Sequence, residues 1–437
     1  MQAPRVAIVG GGILGTVLAY RLSRAGASVT VLERAERLGG LAASMDFDGH
    51  LVDRFYHVIT PSDDRMIAMA EELGLGDDLR FSPSGVGFFI DGELHPFNGV
   101  GDFLRFTPLT PPQRARLGWF VAQCQIRRGY EALDRTPLEP WLRRHCGSAV
   151  VDRIWRPLLD SRFEGKPDGL PATYLWARTR RMSSARQGAA KGEVMGHVVG
   201  GHQRLVDAVA AAASSHGTTF ETGAAVEGLA LTDVGAVAGV VVGGETLRCD
   251  LTVVTLQPPA LRFLLTDELA GLMEPYPRRY LGVVCLVLKS RASLSPFYSV
   301  NICEPTPITT VVETSHVVGT DHTDGLRLIY VPRYCDPDAP DQTEPDQSIY
   351  DRYTAQVARV FPSFSHDDVV SWTVQRARLV EPVHELGSRL APIWPGIPGL
   401  ALASNAQIYP WLLNGNSVMA FAEDVAKEAA TRLRLAL

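Results

Sequence analysis

The fold is decided by residues 5–33, which read RVAIVGGGILGTVLAYRLSRAGASVTVLE. The first segment, Arg5–Val9, is a β-branched run of the kind that is buried on both faces of a parallel sheet. A helical pattern follows the glycines and continues to Gly26, and a second apolar strand covers Ser28–Leu32. This order of strand, glycine-rich turn, helix and strand predicts the first unit of a parallel α/β sheet.

The turn between the first strand and the helix is a G-x-G-x-x-G motif. Gly10 permits the tight turn, Gly12 lets the backbone approach a pyrophosphate, and Gly15 lets the helix pack closely against the strand. The free N–H groups at the helix N-terminus, which begins with Ile13 and Leu14, point at the phosphates. The motif therefore predicts a dinucleotide site at this turn.

An acidic residue and a second pair of glycines extend the motif. Glu33 ends the second strand and is placed to accept hydrogen bonds from ribose hydroxyls. Further on, Arg37 can offset pyrophosphate charge, and Gly39-Gly40 lets the main chain pass close to a bound ring system. With Ser44, these residues resemble the E-x(3)-R-x-G-G-x(3)-[ST] signature of FAD-binding amine oxidases, protoporphyrinogen oxidases, phytoene desaturases and UDP-galactopyranose mutases. The resemblance implies that the cofactor is FAD.

The resemblance also implies the rest of the cofactor site. It places Arg34 and Leu41 beside the motif and the backbone of Val226 near the adenine. Where related flavoproteins usually have an acid that holds the ribityl chain, this sequence has Asn405, whose amide can still bond a hydroxyl. The last helix, predicted over residues 416–437, can face the pyrimidine carbonyl of the flavin and stabilise negative charge through its dipole. The residues at its N-terminus are Asn416, Ser417 and Val418.

The fold class that follows is α/β, with a discontinuous Rossmann-like FAD-binding domain of the GR2 type and an α+β substrate domain. Helical patterning and many arginines characterise the first substrate segment, and strand-length apolar runs with one helix characterise the second. The FAD-binding domain is expected from residues 1–90, 196–270 and 385–437, and the substrate domain from residues 91–195 and 271–384.

A histidine segment is the main candidate for chemistry. The run VDRFYHVI (residues 52–59), with WRPL (155–158) and QIYP (407–410), resembles a bacterial protoporphyrinogen-oxidase-like branch and the histidine loop of UDP-galactopyranose mutases. By that resemblance His57 sits beside the isoalloxazine, where an imidazole can donate a hydrogen bond or move a proton. The alternative is a structural histidine that bonds to backbone. Five further residues are candidates for a polar substrate pocket, with packing or surface roles as the alternative: Tyr56, Arg162, Tyr298, Asn301 and Glu313.

Composition excludes several classes of function. A net charge of −6 without a basic stripe gives no support for nucleic-acid binding. The six cysteines contain no C-x-x-C pair, which predicts buried, reduced thiols and no metal centre. The longest apolar run, Leu281–Leu288, is far shorter than the roughly 20 residues of a membrane-spanning helix. With no export signal at the N-terminus, the expected location is the cytoplasm.

Three functions remain open at this stage, and the oligomeric state remains open with them. The first is an FAD-dependent oxidoreductase (oxidase, dehydrogenase or desaturase) that moves hydride from a small organic substrate onto flavin N5. The second is a non-redox flavin isomerase that acts on a sugar nucleotide, and the third is an assembly partner without catalysis. Amine oxidases commonly place a lysine near N5, and of the four lysines only Lys289 falls in the expected substrate sheet.

Overall fold

A computed structural model describes residues 2–184 and 193–436 of the chain. Its helices are α1 (Ile13–Arg24), α2 (Asp64–Glu72), α3 (Val100–Leu104), α4 (Pro111–Ile126), α5 (Leu138–Cys146), α6 (Ser148–Val150), α7 (Arg156–Phe163), α8 (Thr173–Ser184), α9 (Gly201–Ser215), α10 (Pro258–Leu261), α11 (Ser315–Val318), α12 (Asp346–Val360) and α13 (Gly415–Leu433). Its strands are β1 (Arg5–Val9), β2 (Ser28–Glu33), β3 (Ser44–Phe47), β4 (His50–Asp53), β5 (Leu79–Pro83), β6 (Val86–Ile90), β7 (Glu93–Pro96), β8 (Val194–Val198), β9 (Thr219–Thr222), β10 (Val226–Leu231), β11 (Val237–Val242), β12 (Glu245–Arg248), β13 (Leu251–Val254), β14 (Arg279–Ser290), β15 (Ser299–Ile302), β16 (Thr310–Glu313), β17 (Arg327–Cys335), β18 (Val369–Val383) and β19 (Leu400–Leu402).

A five-stranded parallel sheet carries the glycine motif. Its strand order is β19-β13-β1-β2-β9, and each neighbouring pair runs parallel. Helices α1, α9 and α13 bury one face of this sheet, and the three-stranded antiparallel sheet β10-β11-β12 covers the other face. The predicted Rossmann-like α/β fold is therefore confirmed, and β1 is apolar because both of its faces lie in a core.

A second, seven-stranded sheet has the order β18-β14-β17-β16-β15-β6-β7. Alternate residues of β14 face opposite ways: Val283, Cys285 and Val287 pack towards the β3–β4 hairpin, whereas Val284 and Leu286 pack on the side of α12. A separate helical cluster, formed mainly by α4 to α8, lies at the end of this sheet near Val383. One face of the sheet therefore packs against α12, and the other face packs against the β3–β4 hairpin, which follows the glycine motif in the chain.

The division into two domains stays a proposal, and two contacts bear on its boundaries. Strands β6 and β7 pair with the seven-stranded sheet, although Val86–Ile90 belongs to the first segment of the expected FAD-binding domain. Strand β5 pairs with β8, whose residues Val194 and Met195 end the first substrate segment and whose other residues belong to the expected FAD-binding domain. The last helix begins at Gly415 and ends at Leu433, earlier than predicted, because Arg434 adopts a left-handed conformation.

Candidate functional site

The glycine turn leaves an open cradle at the start of α1. Gly10 has a φ of +109°, and a Cβ on Gly15 would lie 1.9 Å from the Gly10 carbonyl oxygen, so both positions require glycine. A Cβ on Gly12 would meet no atom within 4 Å. Gly12 is the N-cap of α1 and supplies no side-chain cap, and the first turn has no acidic residue. Backbone donors therefore face open space, as a bound diphosphate requires.

The two halves of the motif meet beside this cradle. The Gly39 N–H donates to the Gly11 carbonyl at 2.8 Å. The Glu33 carboxylate accepts hydrogen bonds from the Gly11 N–H at 2.7 Å and from the Ala35 N–H at 2.9 Å. These bonds fix Glu33 next to the turn and leave lone pairs on its oxygens for ribose hydroxyls. The residues present fit the diphosphate and ribose of FAD.

The other residues expected to contact the cofactor differ in their exposure and in the contacts that they already make. Arg34 and Arg37 are exposed, and Leu41 is half-buried against the core around the β3–β4 hairpin. Val226 begins β10 and pairs with Val242. The last-helix residues are used structurally. The Asn416 amide oxygen caps α2 by accepting from the Arg65 and Met66 N–H groups, the Ser417 side chain takes part in the α13 capping box with Asn414, and Val418 is buried.

His57 lies in a buried polar environment that comprises Asp53 and His202. Its ring is 4.9 Å from the His202 ring, between centroids, and its Nδ1 has no hydrogen-bond partner among the described residues. Burial, reinforced by His202, lowers the pKa of His57 to about 4, so the imidazole is neutral at pH 7. A backbone hydrogen bond to Phe55, of the kind that the structural alternative requires, acts in the opposite direction on this pKa.

Arg162 belongs to a second polar group, the arginine–glutamate cluster (Arg162, Arg178 and Glu381). Tyr56 lies next to this cluster and reaches it through Tyr334. Both arginines form ion pairs with the Glu381 carboxylate. Burial alone would raise the pKa of Glu381, but the two guanidinium groups outweigh it and lower the pKa to about 2. The Arg162 guanidinium stacks 3.9 Å from the Tyr334 ring, and the Tyr334 hydroxyl lies 3.3 Å from the Tyr56 hydroxyl.

A small cavity of about 40 Å³ joins the proposed cofactor side to this cluster. Asn405 lines it from the segment after β19, and Arg178 and Glu381 line it from the substrate side. Its wall also contains His384, whose pKa burial lowers to about 4, and Tyr409, whose ring centroid lies 4.5 Å from that of His384 with the two rings tilted by 46°. The lining of this one cavity therefore combines residues of the expected FAD-binding domain with residues of the expected substrate domain.

Sequence reasoning missed Arg178, Glu381 and His384. Arg178 and Glu381 are separated by 203 positions, and no local pattern marks such a pair. Tyr409 belongs to the QIYP motif (407–410), which gave this residue no assigned role. The spacing of that motif is the one sequence signal that could have indicated Tyr409.

None of the five residues predicted for the substrate pocket lines this cavity: Tyr56 and Arg162 lie outside the lining, and so do Tyr298, Asn301, Glu313 and Lys289. Tyr298 is buried, with a hydroxyl that has no partner among the described residues, and Asn301 is half-buried on β15. Glu313 is buried and accepts from the Ser293 hydroxyl and the Leu294 N–H, which gives it a structural role. Lys289 donates to the Phe47 carbonyl and lies 2.8 Å from His50 Nδ1.

The flavin containing amine oxidoreductase family matches residues 15–410 of this sequence. The chain belongs to that family. FAD is its cofactor, and the resemblance drawn from the glycine motif is confirmed.

Individual relatives are more distant. Mitochondrial protoporphyrinogen oxidase from Nicotiana tabacum is 26% identical over 202 residues, which cover 44% of this chain and 40% of the tobacco protein. An oxidoreductase from Methanosarcina mazei has a TM-score of 0.75 at 16% identity, covering 97% of this chain and 100% of its own. Reduced UDP-galactopyranose mutase has a TM-score of 0.73 at 15% identity, covering 99% of this chain and 95% of its own. The two solved structures share the fold.

Across the helices that the structure describes, none combines the length and the apolar character needed to cross a membrane.

Proposed function

We propose that the protein is an FAD-dependent oxidoreductase of the oxidase, dehydrogenase or desaturase type that acts on a small organic molecule. The observation that carries this proposal is the cavity lined both by Asn405 and by Arg178 and Glu381 of the arginine–glutamate cluster. When bound, FAD would supply N5 as the acceptor of a hydride from the C–H bond of a carbon whose C–N, C–O or C–C bond becomes a double bond as a proton is lost. The chain's part is to hold the donor carbon next to that atom and to keep water away.

The charge balance of the cluster favours an uncharged or anionic substrate over an ammonium ion. Two arginines share the one carboxylate of Glu381, which leaves an excess positive charge in a largely buried site. The side chains of Arg162, Arg178 and Glu381 are 21%, 19% and 13% exposed, so solvent screens that charge only weakly. A carboxylate or phosphate on the substrate would balance it.

Lys289 gives no support to classical amine oxidation. Its ammonium group is buried on β14 and already contacts the Phe47 carbonyl, the His50 ring and, at 3.8 Å, Asp48. Its hydrogen-bonding capacity is therefore directed at the β3–β4 hairpin. We assign it a role in anchoring that hairpin.

We assign His57 a direct role towards the flavin or the substrate. A neutral imidazole can donate through one nitrogen and accept through the other, so it can orient a reacting group or move a proton. The neighbouring Phe55 is buried and anchors the segment, which leaves the His57 side chain free of that task.

The test is anaerobic mixing of the oxidised, FAD-loaded protein with matched donors that carry a carboxylate, an amide or an amine. The flavin absorbance should bleach directly, and fastest with the carboxylate. Arg178→Gln should remove the preference for the carboxylate, whereas Arg180→Gln on the same helix, whose guanidinium bonds to the Arg127 carbonyl, should keep it. A requirement for prior chemical reduction before any turnover would favour isomerisation instead and overturn the proposal.

The expected location in the cytoplasm is also a proposal. It rests on the cysteines, since all six are buried free thiols. Disulfides form and persist mainly in oxidising compartments, and their absence is typical of proteins in a reducing one. Fractionation of the cells that make the protein would test it, and recovery from an oxidising compartment would contradict it.

A further inference from the structure

Three side chains that carry metal-ligand atoms converge at the base of the His57 segment. Asp53 ends β4, His57 follows four residues later in the loop, and His202 lies in the first turn of α9. One ligand atom from each lies within 4.8 Å of the others. The spacing of the cysteines argued against thiolate metal centres, but it does not bear on imidazole and carboxylate ligands.

The Asp53 carboxylate is held in one orientation. One oxygen, Oδ1, accepts from the His202 backbone N–H at 3.2 Å and from the Ser44 hydroxyl at 3.4 Å. The other oxygen, Oδ2, lies 3.4 Å from His202 Nδ1. In the protein without metal this is the separation of a hydrogen bond between the two side chains. Two ligands at about 2.0–2.1 Å from a tetrahedral ion are also roughly 3.4 Å apart, so a bound ion would take the place of the shared proton.

We propose that Asp53, His57 and His202 form a binding site for a divalent transition metal ion such as Zn²⁺. Three protein ligands leave at least one coordination position open, the arrangement of non-structural zinc sites. Asp53 Oδ1 remains hydrogen bonded to the Ser44 hydroxyl and to the His202 backbone N–H. These bonds are the outer hydrogen bonds that orient metal ligands. Because the ligands come from β4, its following loop and α9, the ion would tie the His57 segment to the start of α9.

This site shares His57 with the proposed oxidoreductase site, but its test requires no substrate and no turnover. The FAD-loaded protein is treated with a chelator, desalted and titrated with Zn²⁺ alone by calorimetry, and the metal bound after a second desalting is counted by mass spectrometry. We expect one Zn²⁺ per chain. His202→Gln and His57→Gln should each weaken binding by roughly 100-fold or more, beyond the effect typical of losing an outer hydrogen bond. The matched control is His366→Gln, an exposed histidine that bonds to Tyr350.

A second measurement covers the case in which a variant folds poorly. Zn²⁺ that binds the folded wild-type chain must raise its melting temperature, because binding to the native state stabilises it. The rise should be present in wild type and in His366→Gln and absent in His202→Gln. Binding of less than one Zn²⁺ per wild-type chain, or equal binding by His202→Gln and wild type, would overturn the proposal.

Discussion

Replacing Glu381 by glutamine tests the arginine–glutamate cluster most directly. The change preserves the size of the side chain but removes the negative charge that Arg162 and Arg178 share. Two largely buried guanidinium groups would then face each other without a counter-charge. Breaking a buried ion pair by removal of one partner typically costs about 3–5 kcal/mol.

The ionisation of Glu381 gives a second route to the magnitude. Its pKa falls from an ordinary 4.5 to about 2 in the folded protein. At about 1.4 kcal/mol for each tenfold change in the ionisation equilibrium, the ionised form stabilises the fold by roughly 3 kcal/mol. A folded pKa below the unfolded one means that this stabilisation is complete above pH 4.5 and is lost as the pH falls towards 2.

The assay is urea unfolding of the FAD-loaded protein at pH 7, followed by tryptophan fluorescence. Glu381→Gln should lower the free energy of unfolding by about 3 kcal/mol, whereas Glu385→Gln, an exposed carboxylate four residues away, should change it by less than about 0.5 kcal/mol. The gap between wild type and Glu381→Gln should narrow below pH 4.5. Equal unfolding free energies of wild type and Glu381→Gln at pH 7 would refute the reasoning.

Three further predictions concern the cofactor and His57. Gly12→Val should abolish FAD binding, because its branched side chain would fill the open cradle at the start of α1, and the purified protein should be colourless. Glu33→Ala should weaken FAD binding by on the order of 1–3 kcal/mol in a fluorescence titration, while the exposed Glu36→Ala leaves it near wild type. His57→Ala should keep FAD and the melting temperature but lower the rate of flavin reduction by about two to four decades; a collapsed melting temperature with unchanged turnover per folded molecule would contradict this.

The sequence predicted the parts of the fold that rest on local pattern. Arg5–Val9 and Ser28–Leu32 are strands because short apolar runs beside a glycine turn have few other ways to bury themselves. Strand β18 (Val369–Val383) was missed, since most of its residues are only half-buried and show no clean alternation. Its pairing with β14 joins residues about 80–100 positions apart, and a register of that range leaves no trace in the local sequence.

The candidate site likewise contains parts that the sequence could predict and parts that it could not. The phosphate cradle could be anticipated because its donors are backbone groups at fixed offsets from three glycines. Asn416 and Ser417 show the opposite case, since each has a polar side chain suited to a ligand and each instead caps a helix. Which of the two roles a polar side chain adopts depends on the neighbouring elements, and the identity of the residue does not decide it.

Buried tyrosines connect Asp53 to the arginine–glutamate cluster through two hydrogen bonds and ring packing. The Tyr330 hydroxyl donates to the Asp53 carbonyl, and the Tyr330 ring packs edge-on against Tyr56, whose hydroxyl meets Tyr334 above the Arg162 guanidinium. A well-packed apolar core of the same volume is often more stable than buried ion pairs, because desolvating charges is costly. A buried path from Asp53 to Arg162 is therefore hard to explain by stability alone. It links the backbone of Asp53, one of the proposed metal ligands, to Arg162 of the arginine–glutamate cluster through packed tyrosines.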